Sequence, residues 1–251
     1  MEYLYENQCD TYEDFASGRV LLHGRGTTAF PVRLASEIFL RGRSYLRARC
    51  EKKRYSLYDP CCGGAHLLTA IGLLNGRYVQ HIAGSDIDGA VLEIAKSNLA
   101  MVNVEGIEDR IEQLCGMYSA YRKECHKDAI GSAERLMSMI LERRTRIETD
   151  CFQADAAGSV AAPWRTQMKF DMVITDLPYG ELVEWQSADP DPVNRLLENL
   201  LHVIAPHAVV ILVADKKQVI RHSNYNRLER LKVGKRQAVF WEANERERPF
   251  Y

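Results

Sequence analysis

Asp176-Leu177-Pro178-Tyr179-Gly180 follows a buried apolar run, Phe170 to Thr175, and joins groups suited to holding a planar nitrogen base. The Asp176 carboxylate and the backbone carbonyls before and at Pro178 are acceptors. They can take an N–H and favour positive charge developing on nitrogen. The Tyr179 ring can stack on an extruded base. A strand-terminating turn with a core tyrosine is the plainer alternative.

Three upstream features give this turn something to react with. Asp59-Pro60-Cys61-Cys62-Gly63-Gly64 ends the first strand signal, and its small residues let the backbone turn tightly and approach a ligand. The next helix then points its N-terminal amides at the cavity. A carboxylate on that strand suits a cationic amino-acid moiety better than a pyrophosphate, so the ligand suggested is S-adenosylmethionine rather than NAD. Asp86 ends the second strand signal, where a carboxylate can accept both ribose hydroxyls. Ile87 would flank the adenine and Asp88 would cap the next helix. Asp155, followed by Ala156, comes after a third strand signal and is placed to read the adenine amino group. Each feature alone also fits a packing turn, a helix cap or a solvated carboxylate; their order favours the joint reading. Methyl transfer from a sulfonium is an in-line displacement, so aligning nitrogen, methyl and sulfur is most of the catalysis.

The elements that position these residues alternate between strand and helix from residue 55. Strands are expected at Tyr55–Tyr58, Val79–Ser85, Ile147–Phe152, Phe170–Thr175 and Ala208–Ala214, and helices at Gly64–Leu74, Ala90–Val102 and Pro192–Ile204. Leu228–Val233 and Ala238–Trp241, joined across Gly234-Lys235, read as a hairpin. The expected fold is α/β, with a mixed seven-stranded, Rossmann-like sheet closed by an antiparallel C-terminal hairpin. That suits a class I S-adenosylmethionine-dependent methyltransferase better than a dehydrogenase. Residues 1–54 form an N-terminal helical extension, with a helix from Val32 to about Ala48 started by Pro31. Residues 55–251 form the methyltransferase domain. A charged stretch at about 106–147 is a helical insertion, with Leu136, Met139, Ile140 and Arg143 on one stripe.

Composition is that of a globular protein: 46% hydrophobic and 27% charged over 251 residues. No apolar run is long enough to span a membrane, and Met1 to Asp10 lacks a secretory signal. The seven scattered cysteines include no C-x-x-C pair. Reduced thiols, no metal and a cytosolic location follow as expectations. Net charge is −1, but ten cations lie between Arg19 and Arg54 against Glu37 and Glu51, and eight between Lys216 and Arg236 against Glu229 alone. Such segments attract phosphate backbones, though solvated faces would look the same. Trp164 and Trp185 would line the base pocket or anchor the core. His66, His202 and His207 have no partner legible in the sequence. A thiol nucleophile at Cys61 or Cys62 is disfavoured, because pyrimidine C5 chemistry places its cysteine in another loop.

The Asp176 turn resembles the [DN]-P-P-[YF] tetrapeptide of amino- and base-nitrogen methyltransferases. The whole chain resembles one family in particular, the AviRa family of avilamycin-resistance 23S rRNA guanine methyltransferases. The matching stretches are Ala29-Phe-Pro-Val-Arg-Leu-Ala35 with Glu37-Ile38-Phe39, Asp59-Pro-Cys-Cys-Gly63, Leu67-Leu68-Thr69, Gly72-Leu73-Leu74, Ser85-Asp86 with Asp88, Thr175-Asp-Leu-Pro-Tyr-Gly-Glu181 with Trp185, and Leu228-Glu-Arg-Leu-Lys-Val-Gly234. The leucine at 177 and the double cysteine make the match specific. Where the family's loop continues glycine-small-glycine with an aromatic, this chain has Gly63-Gly64-Ala65 and His66. The resemblance implies a guanine of 23S rRNA, free or in the large subunit, as substrate. Ring N1 is the expected acceptor, with Asp176 taking or orienting its proton. It implies a monomer, RNA contacts from Arg25, Arg33, Lys216, Lys217, Lys232, Lys235 and Arg236, and orthosomycin resistance or a housekeeping modification as the outcome. For Arg33, contact with the cofactor site or a helix-surface salt bridge stays equally open. A methyltransferase for another nucleic-acid or protein amine, and an inert RNA-binding scaffold of the same fold, are the competing readings.

Overall fold

The computed structural model describes residues 3–7, 11–16, 18–24, 29–158, 169–178, 185 and 189–244. Seven strands form one sheet: β1 (Tyr55–Asp59), β2 (Val79–Asp86), β3 (Glu148–Gln153), β4 (Phe170–Asp176), β5 (Ile204–Asp215), β6 (Tyr225–Val233) and β7 (Arg236–Ala243). Their order is β3-β2-β1-β4-β5-β7-β6. The strands from β3 through β5 pair in parallel, and β7 inserts antiparallel between β5 and β6. The expected mixed sheet and closing hairpin are both present.

Both faces of the sheet are covered, which is why its central strands read as continuous apolar runs. On one face Leu57, Ile82, Met172, Ile174, Ile211 and Val213 pack under α1 (Val32–Arg47), α2 (His66–Asn75), α3 (Leu92–Ala100) and the pair α4 (Val104–Tyr121) and α5 (Glu124–Arg143). On the other, Tyr58, Val173, Val210 and Leu212 meet Leu196, Leu197 and Leu200 of α6 (Pro192–Leu200). The α1 helix lies so close to the sheet that a Cβ on Gly42 would sit 2.8 Å from Ile211 Cδ1 and 3.0 Å from Met172 Cε. Residues 32–47 therefore share the core of the sheet.

Two boundaries differ most from the sequence reading. The helix expected to reach Ile204 ends at Leu200, and β5 begins at Ile204 rather than Ala208. Pro206 lies within the earlier start of β5. The pairing with β4 jumps from Phe170↔Ile204 to Met172↔Val209, and this irregular stretch accommodates a residue with no N–H to donate. The insertion is two helices, broken where Arg122 adopts φ +50. Arg143 does not merely join an apolar stripe. Its guanidinium donates to the carbonyls of Gly72 (2.9 Å), Val102 (2.6 Å) and Thr145 (2.9 Å), tying the insertion to the sheet-covering helices.

A buried polar network fastens the N-terminal segment. Glu37, with no exposed side chain, accepts the amides of Leu4 (2.8 Å), Tyr5 (2.9 Å) and Glu6 (3.0 Å) and pairs with Arg41 at 2.6 Å. Arg41 also meets Glu229, which Tyr45 contacts through its hydroxyl. A bulge at Leu228 sets the register that presents Glu229 there. Burial alone would raise the Glu37 pKa, but the three amides and Arg41 outweigh it and hold it below the usual glutamate value.

Glu37→Gln is expected to cost about 3 kcal/mol of stability, read by chemical unfolding, because one partner of a buried pair is lost. The wild-type contribution is intact above the unfolded carboxylate pKa of about 4.3 and disappears as pH falls through the depressed folded value. Wild type should therefore lose its advantage over Glu37→Gln on acidification, and an advantage that survives to low pH would contradict this account.

Candidate active site

The parallel strands β1, β2, β4 and β5 each end in an aspartate: Asp59, Asp86, Asp176 and Asp215. Because strand direction is shared, all four lie along one edge of the sheet. The chain order reverses between β1 and β4, and the carboxyl ends beside such a switch point are where open α/β sheets bind ligands.

The glycine loop is held by hydrogen bonds from its neighbours. Cys61 N donates to Asp59 Oδ1 (3.0 Å), Cys62 N to Ser85 O (2.8 Å) and Ser85 Oγ to Pro60 O (3.4 Å). Gly63 N donates to Asp86 Oδ2 at 2.8 Å, while Asp88 N donates to Oδ1 of the same carboxylate at 3.0 Å. A carboxylate offers about four lone-pair sites, so Asp86 keeps acceptor capacity for two further hydroxyls. Gly63 has φ +50, and the position its Cβ would take has nothing within 4 Å. That is an open cradle with a backbone only glycine adopts readily. Ala65 follows at φ +57 and begins α2.

The adenine-side candidates also fall together. Asp88 caps the following turn through Ala90 N at 2.8 Å. The Ile87 carbonyl accepts Gln153 Nε2 at 2.9 Å, and Ala154 N donates to Asp86 O at 3.0 Å, closing β2 onto the end of β3. Asp155 Oδ1 accepts Ala157 N at 2.9 Å, and Asn199 from α6 holds the Ala156 carbonyl at 2.9 Å.

Asp59 is the electrostatic centre. Its burial pushes the carboxyl pKa up to about 7; Asp86 and Asp176 add to the rise, against the nearby Thr175 hydroxyl and the Cys61 amide. The Cys61 thiol is raised well above its ordinary value by burial first and then by Asp59 and Asp86, so it holds little thiolate. Such a cleft disfavours its own negative charge and is ready for a cation. At the β4 end, Leu177 N donates to Val213 O at 2.9 Å, pinning the turn to β5 with Leu177 buried and Pro178 half-buried. Tyr179 and Gly180 lie outside the described residues, as do Arg25 and Trp164; Trp185 packs against the α6-side core.

The family model of the rRNA methyltransferase AviRa matches residues 1–236. The chain belongs to the AviRa family. It is 37% identical over 232 residues, 90% of each chain, to the 23S rRNA (guanine(2535)-N(1))-methyltransferase of Streptomyces viridochromogenes. Two solved structures of the rRNA methyltransferase aviRa from Streptomyces viridochromogenes each match with a TM-score of 0.85, at 33% identity over 96% of both chains.

In this AviRa-family chain the two basic segments have different fates. The N-terminal one is dispersed into internal contacts. Arg33 donates twice to the Glu6 carbonyl and lies 4.1 Å from the Tyr3 ring centre. Arg43 sits over Tyr78, Arg49 pairs with Glu242, and Arg54 caps the Val79 and Arg146 carbonyls. The C-terminal segment stays at the surface. Lys216, Lys217, Lys232 and Lys235 are exposed and Arg236 half-buried. Asp215 stands opposite Arg236 in the β5–β7 register and Lys216 N donates to Lys235 O at 2.9 Å, so the hairpin tip shares the edge that carries Asp176.

Sequence reasoning found no partner for the histidines. His207 Nε2 in fact lies 2.6 Å from Asp171, which also binds Lys52 (2.7 Å) and Ser56 N (2.9 Å), at the opposite edge of the sheet. His66 Nε2 lies 3.2 Å from the Phe15 carbonyl, and His202 contributes its carbonyl to Lys169. Among the described residues no group of three or more His, Cys, Asp or Glu side chains is arranged for a metal ion, and no helix is long and apolar enough to cross a membrane.

Between about pH 4 and 7 the folded protein holds a proton on Asp59 that the unfolded chain has released, so this group makes stability fall as pH rises through that window. Asp59→Asn should therefore be more stable than wild type at pH 8, with the gain vanishing near pH 4. Thermal unfolding at the two pH values decides it, and an equal difference at both would contradict the assignment.

Proposed function

We propose that this protein transfers a methyl group from S-adenosylmethionine to ring N1 of a guanine in 23S rRNA. Family membership and the activity of the Streptomyces viridochromogenes relative support the reaction class. The observation that carries it to these residues is the raised Asp59 pKa beside the open Gly63 cradle. A cationic amino-acid head and sulfonium suit that desolvated acidic cleft, a ribose suits the spare acceptor sites of Asp86, and an adenine suits the Ile87, Asp88, Asp155 and Ala156 border. The bound cofactor supplies an electrophilic methyl.

The protein's own residues do the rest. Guanine N1 carries a proton that must leave as the nitrogen–carbon bond forms. Asp176 stands at the end of β4 next to Asp59's strand, placed to accept or orient that proton. The rigid Leu177 anchor on β5 fixes the turn, and Pro178 and Tyr179 would border the flipped base. Lys216, Lys217, Lys232, Lys235 and Arg236 would hold RNA phosphates along the same edge, with Arg25 and Arg33 as weaker candidates. A cytoplasmic monomer working without a metal is the accompanying proposal. An N1 methyl removes a hydrogen-bond donor, so resistance to an orthosomycin such as avilamycin follows where the drug contacts that guanine.

The test incubates the protein and labelled cofactor with 23S rRNA, with large subunits, with adenine-bearing DNA and with ribosomal protein. Label on rRNA with a new reverse-transcriptase stop at a guanine is expected, because an N1 methyl blocks Watson–Crick pairing. Label confined to DNA or protein favours another amine substrate, and absence of both cofactor heat and label favours an inert scaffold. Asp176→Ala should lower kcat by about a hundredfold or more while the cofactor Kd stays put. Alanine at Lys216 and Lys235 together should weaken RNA binding and reduce the slope of log affinity against log salt by about two; an unchanged slope would remove the hairpin tip from the RNA face.

A further inference from the structure

Two successive glycines, Gly63 and Gly64, stand at the centre of the loop read above as the cofactor loop. Nothing in their own side chains decides which way their peptide groups point. One end of the pair is fixed by Asp86 through the Gly63 amide at 2.8 Å. The other end is fixed from α3: Asn98 Nδ2 donates to the Gly64 carbonyl at 2.7 Å.

The same side chain reaches in a second direction. Asn98 Oδ1 accepts Leu22 N at 2.8 Å and Nδ2 donates to Leu22 O at 3.0 Å, so the amide pairs with one residue of the N-terminal segment as a neighbouring strand would. Asn98 is fully buried, and its acceptor and both donor hydrogens are used. The segment around Leu22 is tied down elsewhere too, by Arg110 Nε on Val20 O (2.8 Å), by Arg135 on Asp14 and by the His66–Phe15 contact. Only the Asn98 tie touches the glycine loop among these.

We propose that Asn98 is a positioning residue for cofactor binding, through which the N-terminal strap at Leu22 sets the direction of the Gly64 carbonyl and hence the shape of the Gly63 cradle. The proposal rests on the reading of residues 59–64 as the cofactor loop. It gives the N-terminal extension a part in the site that its distance in sequence conceals.

Asn98→Asp keeps the size and the acceptor but loses the donated hydrogens, setting carboxyl oxygens against the Gly64 and Leu22 carbonyls. Lys52→Met takes one partner from the buried Asp171 at the opposite edge of the sheet, touching neither strap nor loop, and serves as the comparison. Calorimetry with S-adenosylmethionine and steady-state kinetics on rRNA are the readouts. For Asn98→Asp the cofactor Kd and KM should rise about tenfold or more, the scale of one buried polar group left unpaired, with kcat at saturating cofactor nearly unchanged. For Lys52→Met the melting temperature should fall while the cofactor Kd stays within about twofold of wild type, well under the tenfold that 1.4 kcal/mol would give. A Kd that moves equally in both variants, or not at all in Asn98→Asp, overturns the proposal. Should Asn98→Asp fail to fold, hydrogen exchange of the wild type decides: cofactor binding should slow exchange at Leu22 as well as in the loop, and an unaffected Leu22 overturns it. A wild type that shows no cofactor heat would instead sink the reading of the loop itself.

Discussion

Negative charge gathered at one desolvated edge of the sheet is the constraint around which this molecule is built. Asp59, Asp86 and Asp176 end adjacent strands, and burial followed by the charges of Asp86 and Asp176 raises the proton affinity of Asp59. Such a cluster opposes folding on its own account. The fold tolerates it through backbone amides, with Cys61 N on Asp59 and Gly63 N and Asp88 N on Asp86. Those amides come from the same loops a cofactor would touch. The donors that stabilise the free carboxylates are thus the framework of the proposed site, and ligand charge would complete a compensation the protein leaves partial.

The surroundings answer that edge with buried polar ties from the chain's N-terminal part. Glu37 collects three amides, Arg110 a carbonyl, and Asn98 both groups of Leu22. Each tie replaces water lost on burial by a fixed partner, which is the condition for keeping a polar group inside at all. Each also holds described residues between 3 and 24, irregular apart from the short helix Glu13–Phe15, against helices that cover the sheet. The segment is therefore bound both by side chains capturing its backbone and by its own Phe15, Val20 and Leu21, which are buried in the core.

This division explains what the sequence could disclose. The central strands were legible because burial on both faces leaves continuous apolar runs, and the turns were legible because Asp-Pro-Cys-Cys-Gly-Gly and Asp-Leu-Pro stop those runs with unusual residues. The hairpin across Gly234 was legible because φ +57 there favours glycine. Side-chain capture of backbone has no spacing rule, so Asn98 and Arg110 gave no signal, and His207 found Asp171 across the sheet from another strand. The break at Arg122 was invisible because an arginine in the left-handed region looks like any helical residue. Counting cations cannot show partners: of the ten between Arg19 and Arg54, Arg33, Arg41, Arg43, Arg49, Lys52 and Arg54 have partners inside the fold.

The surviving basic segment takes its meaning from direction rather than number. β5 delivers Lys216 and Lys217 just beyond Asp215, and the antiparallel return of β7 brings Lys235 and Arg236 to the same height. Had β7 run parallel, the hairpin tip would lie at the far edge with Lys52 and His207. The inserted antiparallel strand thus sets a cationic rim beside an acidic floor. Opposite charges so close would cancel in water beyond a Debye length of about 8 Å. Within that distance they can select separately, the buried floor for a small cation and the exposed rim for a polyanion whose counterions are displaced. One sheet edge can therefore hold two ligands of opposite sign, the geometry that methyl transfer from a sulfonium to RNA requires.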